Sequence, residues 1–203
     1  FFSFCFYDKQ ENKYLLARDR FGIKPLVIYE DTDRFVFGSE MKAIFAFQPK
    51  KKIDTNSLKL YLKFNYLPQS FSMLQGVRKV SPGSYLVHDG SKIVEEEAYY
   101  NIDYTRGKYC DDSYETAQTK VIDLLRESVH NRMVSDVPLG TFLSGGIDSS
   151  VITALASEFT DNLNTFSVGF KDEPLFDETN YALLVAKKYK TNHTVFKLAN
   201  NDL

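Results

Sequence analysis

The 203-residue sequence predicts two architectures in series, a largely antiparallel α+β half followed by an α/β half built on a doubly wound parallel sheet. Three observations carry this. Up to about residue 100, short apolar runs are divided by polar turns at hairpin spacing. From Asp111 onward, strand-like runs alternate with helical segments long enough to serve as crossovers between parallel strands. Between the two lies Asn101–Asp112, a polar stretch carrying Gly107 that reads as a linker. The expected division is therefore residues 1–100, a linker at 101–112, and residues 113–203.

In the first half, Phe1–Tyr7 places Phe2, Phe4 and Phe6 on one face of a strand, and the Phe and Tyr stripe of this half is expected to be core. Phe1–Tyr7 and Lys13–Arg18 flank the polar loop Asp8–Asn12. Leu26–Tyr29 and Arg34–Gly38 flank Asp31-Thr32-Asp33. Ser39 is the expected cap of a short helix through Phe47, and Thr55 or Asn56 that of another through Phe64. Pro82-Gly83 and Asp89-Gly90 punctuate a further hairpin, Ser84–Val87 with Lys92–Glu96. In the second half, Ser113 caps a helix to about Met133, whose inward face is Ala117, Val121, Leu124, Leu125 and Ser128. Pro138 stops it. Then follow strand Leu139–Leu143, helix Ser149–Phe159, strand Thr165–Phe170, helix Glu178–Tyr189 and strand His193–Leu198.

Composition narrows the function classes. With 43% hydrophobic and 26% charged residues, the chain can bury roughly 70% of its unfolded surface without disulfide or metal staples. Residues 1–110 carry 17 Lys/Arg against 13 Asp/Glu, and residues 111–203 carry 8 against 14, which sums to the net charge of −2. The like-charge runs Lys50-Lys51-Lys52 and Glu95-Glu96-Glu97 are too short for a nucleic-acid tract and read as solvated turns or strand ends. No apolar run approaches the ~18 residues of a membrane span, and no signal peptide opens the sequence. Cys5 and Cys110 lack metal-ligand spacing and suit a reducing, cytoplasmic location. A sequence that opens on a core-like strand and stops at Asn201-Asp202-Leu203 is expected to be a piece of a longer protein.

Glycine is scarce at ten residues, yet Gly140, Gly145 and Gly146 fall within seven positions, the last two inside Leu143-Ser144-Gly145-Gly146-Ile147-Asp148-Ser149-Ser150. The context is strand, glycine turn, helix start, where free backbone N–H groups and the helix dipole can hold an anion. Gly145 and Gly146 permit unusual φ values and close approach of a phosphate. Ser144, Ser149 and Ser150 add hydroxyls. Asp148 beside a polyphosphate makes sense if it holds Mg²⁺ there. The alternative is a plain tight turn, with Ser149 an ordinary cap and Asp148 a dipole-facing carboxylate. A Walker A loop is excluded, because no Gly-Lys-Ser/Thr is present.

Ser144-Gly145-Gly146-Ile147-Asp148-Ser149 resembles the SGGxDS PP-loop of the ATP pyrophosphatase superfamily, which cleaves ATP between the α and β phosphates. The longer run Ser135–Ser150 resembles the glutamine-hydrolysing asparagine synthetase family. Thr165–Phe170 is similar to that family's next strand, and Phe176-Asp177-Glu178, Ala182 and His193 match its spacing. The first half agrees. Arg18–Leu26 resembles the RDxxGxKPL segment of class II, N-terminal-nucleophile glutaminase domains, Phe37–Ala43 their FxSExKAL segment, and Gly76–Gly83 their GxxKxxPG turn.

The resemblance implies the end of an N-terminal-nucleophile glutaminase sandwich followed by the start of an adenine-nucleotide-hydrolase-like domain. It implies a carbon–nitrogen ligase that takes glutamine, aspartate and ATP with Mg²⁺. ATP or pyrophosphate would be held by Leu143, Ser144, Gly145, Gly146, Asp148, Ser149, Ser150 and Val168, with Asp148 the metal ligand and the Val168 backbone at adenine. A homodimer is the candidate assembly of the longer protein. No nucleophile is expected within the sequence, because the family's Cys stands at the mature N-terminus and Phe1 cannot replace it. A second acidic loop would follow Leu203. Two other readings stay open: amidation of a different carboxylate, as in β-lactam synthetase-like or surface-sugar enzymes, and a non-catalytic nucleotide-binding protein.

Remaining polar residues suggest less. Arg18 and Asp19 read either as ordering an inner wall or as an ordinary ion pair, and Glu40 and Lys42 as exposed helix charges or the lining of an ammonia passage. Cys5 reads as a small buried hydrophobe. His88, His130 and His193 lack partners at ligand spacing.

Overall fold

A computed structural model describes residues 1–47, 52–105, 110–173, 175 and 177–199. Lys50, Lys51, Gly107, Phe176 and residues 201–203 lie outside the described residues. The chain divides into two compact units, Phe1–Lys108 and Tyr109–Leu203.

In the first unit, β1 (Ser3–Asp8), β2 (Lys13–Arg18), β6 (Ser84–His88) and β7 (Ile93–Ala98) form a four-stranded sheet in the order β1-β2-β6-β7. A second sheet has the order β4-β3-β5, from β3 (Val27–Glu30), β4 (Phe35–Gly38) and β5 (Val77–Lys79). Every pairing in both sheets is antiparallel. The three hairpins share one device: an Asp at the strand end whose carboxylate gathers the amides of the turn. Asp8 takes those of Gln10 and Glu11, Asp31 those of Asp33 and Arg34, and Asp89 those of Ser91 and Lys92.

Alternation along β3 divides the core. Leu26 and Ile28 join Leu16, Leu86 and Val80 in a cluster drawn from both sheets. Val27 and Tyr29 point the other way, onto Val36, Val77 and Ile44 of α1 (Met41–Ala46). The expected Phe core is overturned by the same rule. Leu16 and Leu86 are fully buried on the face that Cys5 shares, so Phe4 and Phe6 fall on the opposite face and are 45% and 59% exposed. Period two fixes which residues share a face, but only the partner strand decides which face is buried.

Three smaller expectations also change. The N-cap of α1 is Glu40 rather than Ser39, with no side-chain cap bond. The N-cap of α2 (Thr55–Phe64) is Asp54, one residue before Thr55, and it accepts the Ser57 amide at 2.7 Å. β5 was expected as a turn only. Glu95-Glu96-Glu97 is, as expected, an exposed run toward the end of β7, where Glu96 makes a bidentate pair with Arg78 at 2.7 and 2.6 Å.

Arg18 and Asp19 are both buried, and among the described residues no ion pair joins them. Arg18 instead donates to the carbonyls of Lys24, Gly22 and Val80, and Asp19 accepts the amides of Phe2, Phe21, Ile23 and Lys24. The two side chains thus organise the loop 19–25 as a unit. Burial pushes the Asp19 carboxyl up, but the amides of Lys24, Ile23, Phe21 and Phe2 outweigh it and hold the group below the usual carboxylate range. Its stabilisation is therefore present at neutral pH and lost as pH falls below about 4. Asp19→Ala is expected to destabilise the first unit by about 3 kcal/mol, because four part-buried amides lose their one carboxylate acceptor at once. Urea denaturation at pH 7 checks this, and a loss under about 0.5 kcal/mol would contradict the role.

The second unit opens with α3 (Tyr114–Arg132), whose N-cap Ser113 accepts the Thr116 amide. Next come β8 (Gly140–Phe142), α4 (Ile147–Ser157), β9 (Asn164–Phe170), α5 (Thr179–Tyr189) and β10 (Asn192–Leu198). The three strands form a parallel sheet in the order β10-β9-β8. Among the described residues the order does not reverse, so the observed class is a mixed α/β fold with small sheets. Leu125 and Val129 of α3 and Met133 at its C-cap pack on Leu155 and Ala156 of α4 and on Leu163, whereas Val121 and Leu124 are exposed. The helix carries apolar residues on more than one side, and α4 selects the stripe at 125, 129 and 133.

Candidate functional site

The glycine turn sits between β8 and α4. Leu143, 1% exposed, packs against Ala182, Ala186 and Val185 of α5. Its amide donates to the Phe166 carbonyl of β9 at 2.8 Å, and its carbonyl accepts the Ser167 hydroxyl. The strand end is thus clamped on both backbone groups just before the chain leaves the sheet.

The two glycines do different things. Gly145 has φ +88°, and a Cβ there would lie 2.4 Å from Tyr181 Cβ and 2.6 Å from the Ala182 nitrogen. It is glycine because of its conformation and because α5 passes directly behind it. Gly146 has φ −66° and ψ 163°, extended values open to any residue, and a Cβ would come no nearer than 3.4 Å to Ser144 Oγ. Of the two glycines that permit unusual φ, only Gly145 adopts one. Gly146 is the N-cap of α4 and supplies no side-chain cap bond, so the first amides of the helix keep their free hydrogens.

The expected start of α4 at Ser149 also moves. The helix begins at Ile147, which puts Asp148 and Ser149 in its first turn and removes Ser149 as its cap. Ser149 Oγ lies 3.1 Å from Ser144 Oγ, accepts the Ser144 amide at 3.3 Å and donates to the Gly146 carbonyl at 3.2 Å. The Gly146 amide donates to Ser144 Oγ at 3.3 Å. These hydroxyls brace the loop across its own mouth. Ser150 is half-buried, and its amide makes the first helical bond, to Gly146. The Asp148 carboxylate is exposed beside the uncapped turn.

Val168, 47% exposed, lines a cavity of about 240 Å³ with Leu143, Ser144, Phe142, Phe166 and Thr179. Backbone groups alternate sides along a strand. Since Phe166 faces β8, Val168 does too, and the paired run of β8 has already ended at Phe142. The Val168 amide and carbonyl therefore look past the end of β8 into the region beside the loop.

Residues not singled out for this site lie directly under it. Thr165 and Ser167 are buried on β9, and His193 of β10 bonds to both. The available signal was the polar pair at alternate, inward positions of β9. Other candidates separate from it. Cys5 packs against the first core cluster, and burial pushes its thiol up, which makes it a poor nucleophile. Cys110 is exposed, with Sγ 2.8 Å from Asp112. Glu40 and Lys42 are exposed. His88 is buried at the end of β6, stacked on Phe35 with ring centroids 4.1 Å apart, and His130 packs beside Phe159. Among the described residues no group of three or more His, Cys, Asp or Glu could hold a metal, and no helix is long and apolar enough to cross a membrane.

Two family descriptions match the chain: a glutamine amidotransferase domain over residues 1–100 and asparagine synthase over residues 120–203. A putative asparagine synthetase [glutamine-hydrolyzing] 2 from Methanocaldococcus jannaschii is 35% identical over 98% of the chain and 39% of its own length. Asparagine synthetase [glutamine-hydrolyzing] 1 from Bacillus subtilis is 36% identical over 89% of the chain and 28% of its own length. An amidase, chry2, from Gibberella zeae is 31% identical over 77% of the chain and 23% of its own length. The chain thus spans well under half the length of these curated relatives.

Proposed function

The chain belongs to the glutamine-hydrolysing asparagine synthetase family, and on that premise we propose that the intact protein transfers the amide nitrogen of glutamine to aspartate, driven by ATP. Residues 1–100 are the later part of the glutaminase, 101–112 a linker, and 113–203 the first part of the synthetase, a doubly wound ATP-binding domain. The first is read as an N-terminal-nucleophile sandwich whose catalytic Cys is not among these residues. An oxygen of the aspartate side-chain carboxylate attacks the α-phosphorus of ATP, the bond to the β-phosphate oxygen breaks, and pyrophosphate leaves β-aspartyl-AMP. Ammonia from glutamine then attacks the acyl carbon and releases AMP, giving asparagine once the extra proton is lost.

One observation carries this reading: an uncapped helix N-terminus, reached through a glycine with φ +88°, opens beside the cavity that Val168 lines. The amides of the first turn of α4 hold the departing pyrophosphate, with Ser144, Ser149 and Ser150 around it. Leu143 anchors the loop, and Val168 meets adenine through its backbone. Asp148 fits Mg²⁺ as a single carboxylate, an ion that commonly takes one or two carboxylates and completes its shell with phosphate oxygens and water. When bound, that ion neutralises charge on the phosphates. Aspartate-dependent exchange of labelled pyrophosphate into ATP by the intact protein tests the reading. Exchange that needs a different carboxylic acid, and none with aspartate, would overturn the acceptor.

A further inference from the structure

Beneath the loop runs a line of side-chain hydrogen bonds for which the chemistry above has no use. Thr165 Oγ1 lies 2.7 Å from Thr191 Oγ1 and 2.8 Å from His193 Nδ1. His193 Nε2 lies 3.3 Å from Ser167 Oγ, and the Ser167 hydroxyl donates to the Leu143 carbonyl. Thr165 is fully buried and Ser167 is 5% exposed.

The hydrogens can be assigned from the acceptor end. A carbonyl only accepts, so the one hydrogen of Ser167 is committed to Leu143. Ser167 Oγ can then only accept from His193, which requires a hydrogen on Nε2. Burial pushes the imidazole down, which favours the neutral ring. Nδ1 is then bare and accepts from Thr165, and Thr165 accepts from Thr191. Every hydrogen points along one path toward the Leu143 carbonyl.

That carbonyl occupies a particular place. The Leu143 amide already donates to Phe166, and the next rung of a parallel ladder would bring the Leu143 carbonyl to the Val168 amide. The Ser167 hydroxyl takes the carbonyl, and the β8–β9 pairing stops at Phe142.

We propose that Ser167, oriented by His193, is a positioning residue that diverts the Leu143 carbonyl from the sheet ladder and so leaves the Val168 amide and carbonyl free to read the donor–acceptor edge of adenine. This rests on the reading of Val168 as the adenine contact. The Ser167 side chain competes for one backbone acceptor and thereby opens another residue's backbone to the base. Guanine presents the opposite donor–acceptor pattern at that edge, so the arrangement makes base selectivity depend on His193.

Calorimetric titration of the intact protein with ATP and with GTP tests this, with thermal unfolding of each variant measured alongside. Ser167→Ala is expected to weaken ATP binding about tenfold and GTP binding much less, because one ladder bond closes over the Val168 amide. His193→Gln can place an amide nitrogen near the Nε2 position and is expected to stay within about twofold of the parent. His193→Asn reproduces only the Nδ1 side and is expected to behave like Ser167→Ala. Both histidine variants lose the same ring, so their difference isolates the bond to Ser167. Equal losses in the two, affinity changes that follow the melting temperature, or a parent that binds GTP as well as ATP would overturn the inference. Nucleotide affinity is read directly, so the inference stands or falls by it even if the acceptor is not aspartate.

Discussion

Asp148→Ala in the intact protein is expected to lower aspartate-dependent ATP–pyrophosphate exchange by at least about a hundredfold and to leave glutamine hydrolysis unchanged. The size follows from the role: a cation that offsets charge on transferring phosphates is worth several kcal/mol, and each ~1.4 kcal/mol is a factor of ten. Stability is a separate matter. Asp148 is exposed in the first turn of α4, where a carboxylate gains only about 0.3–1 kcal/mol from the helix dipole. The melting temperature should therefore shift by only a few degrees. In Asp148→Asn, which keeps the shape and loses the charge, half-maximal exchange should need more Mg²⁺. Full exchange in the alanine variant would leave Asp148 as a dipole-facing carboxylate, the plainer reading of the same sequence.

The turn containing Asp148 was legible because strand, glycine pair and helix start follow one another along the chain, and each leaves a local signature. The boundary of α4 was not. Ser149 has the chemistry of a cap, but Ser144 and Ser149 bond across the loop mouth, a contact between residues five apart that no propensity encodes. Nor could the sequence separate Gly145 from Gly146. The difference lies in α5, which passes within 2.6 Å of where a Cβ on Gly145 would sit and is more than thirty residues downstream in the sequence.

The same limit explains the first unit. The turns were readable, since Asp8, Asp31 and Asp89 each collect amides within three residues. The burial of β1 was not, because Cys5 faces Leu16 across the β1–β2 ladder and the pairing of β2 with β6 decides which side is core. Arg18 and Asp19 look like an ion pair in sequence, yet each spends its hydrogen bonds on loop backbone. Thr165, Ser167 and His193 looked ordinary one at a time. Their meaning comes from parallel registry, which sets His193 opposite Thr165.

Gly145→Ala and Gly146→Ser are expected to fail in opposite ways, and the contrast separates folding from binding at this loop. At Gly145 an added methyl meets the strain of a positive φ, worth about 1–2 kcal/mol, and backbone atoms of α5 that cannot rotate aside. Overpacking of that kind costs a further 1–3 kcal/mol or so, so the second unit should lose about 3 kcal/mol in denaturant unfolding. ATP binding should fall with it, since relief requires moving either the loop or α5. At Gly146 the backbone is already extended and the added side chain has room. Serine there can accept an amide of the first turn, so the variant should be as stable as the parent or slightly more so. Its hydroxyl and methylene would then occupy the amides and the approach path that the phosphates use, and calorimetry should show ATP affinity reduced about tenfold or more. A serine variant that is stable and binds ATP normally would mean that the uncapped turn of α4 is not where the phosphates sit. Loss of stability without loss of affinity at Gly145 would place the ligand away from the loop altogether.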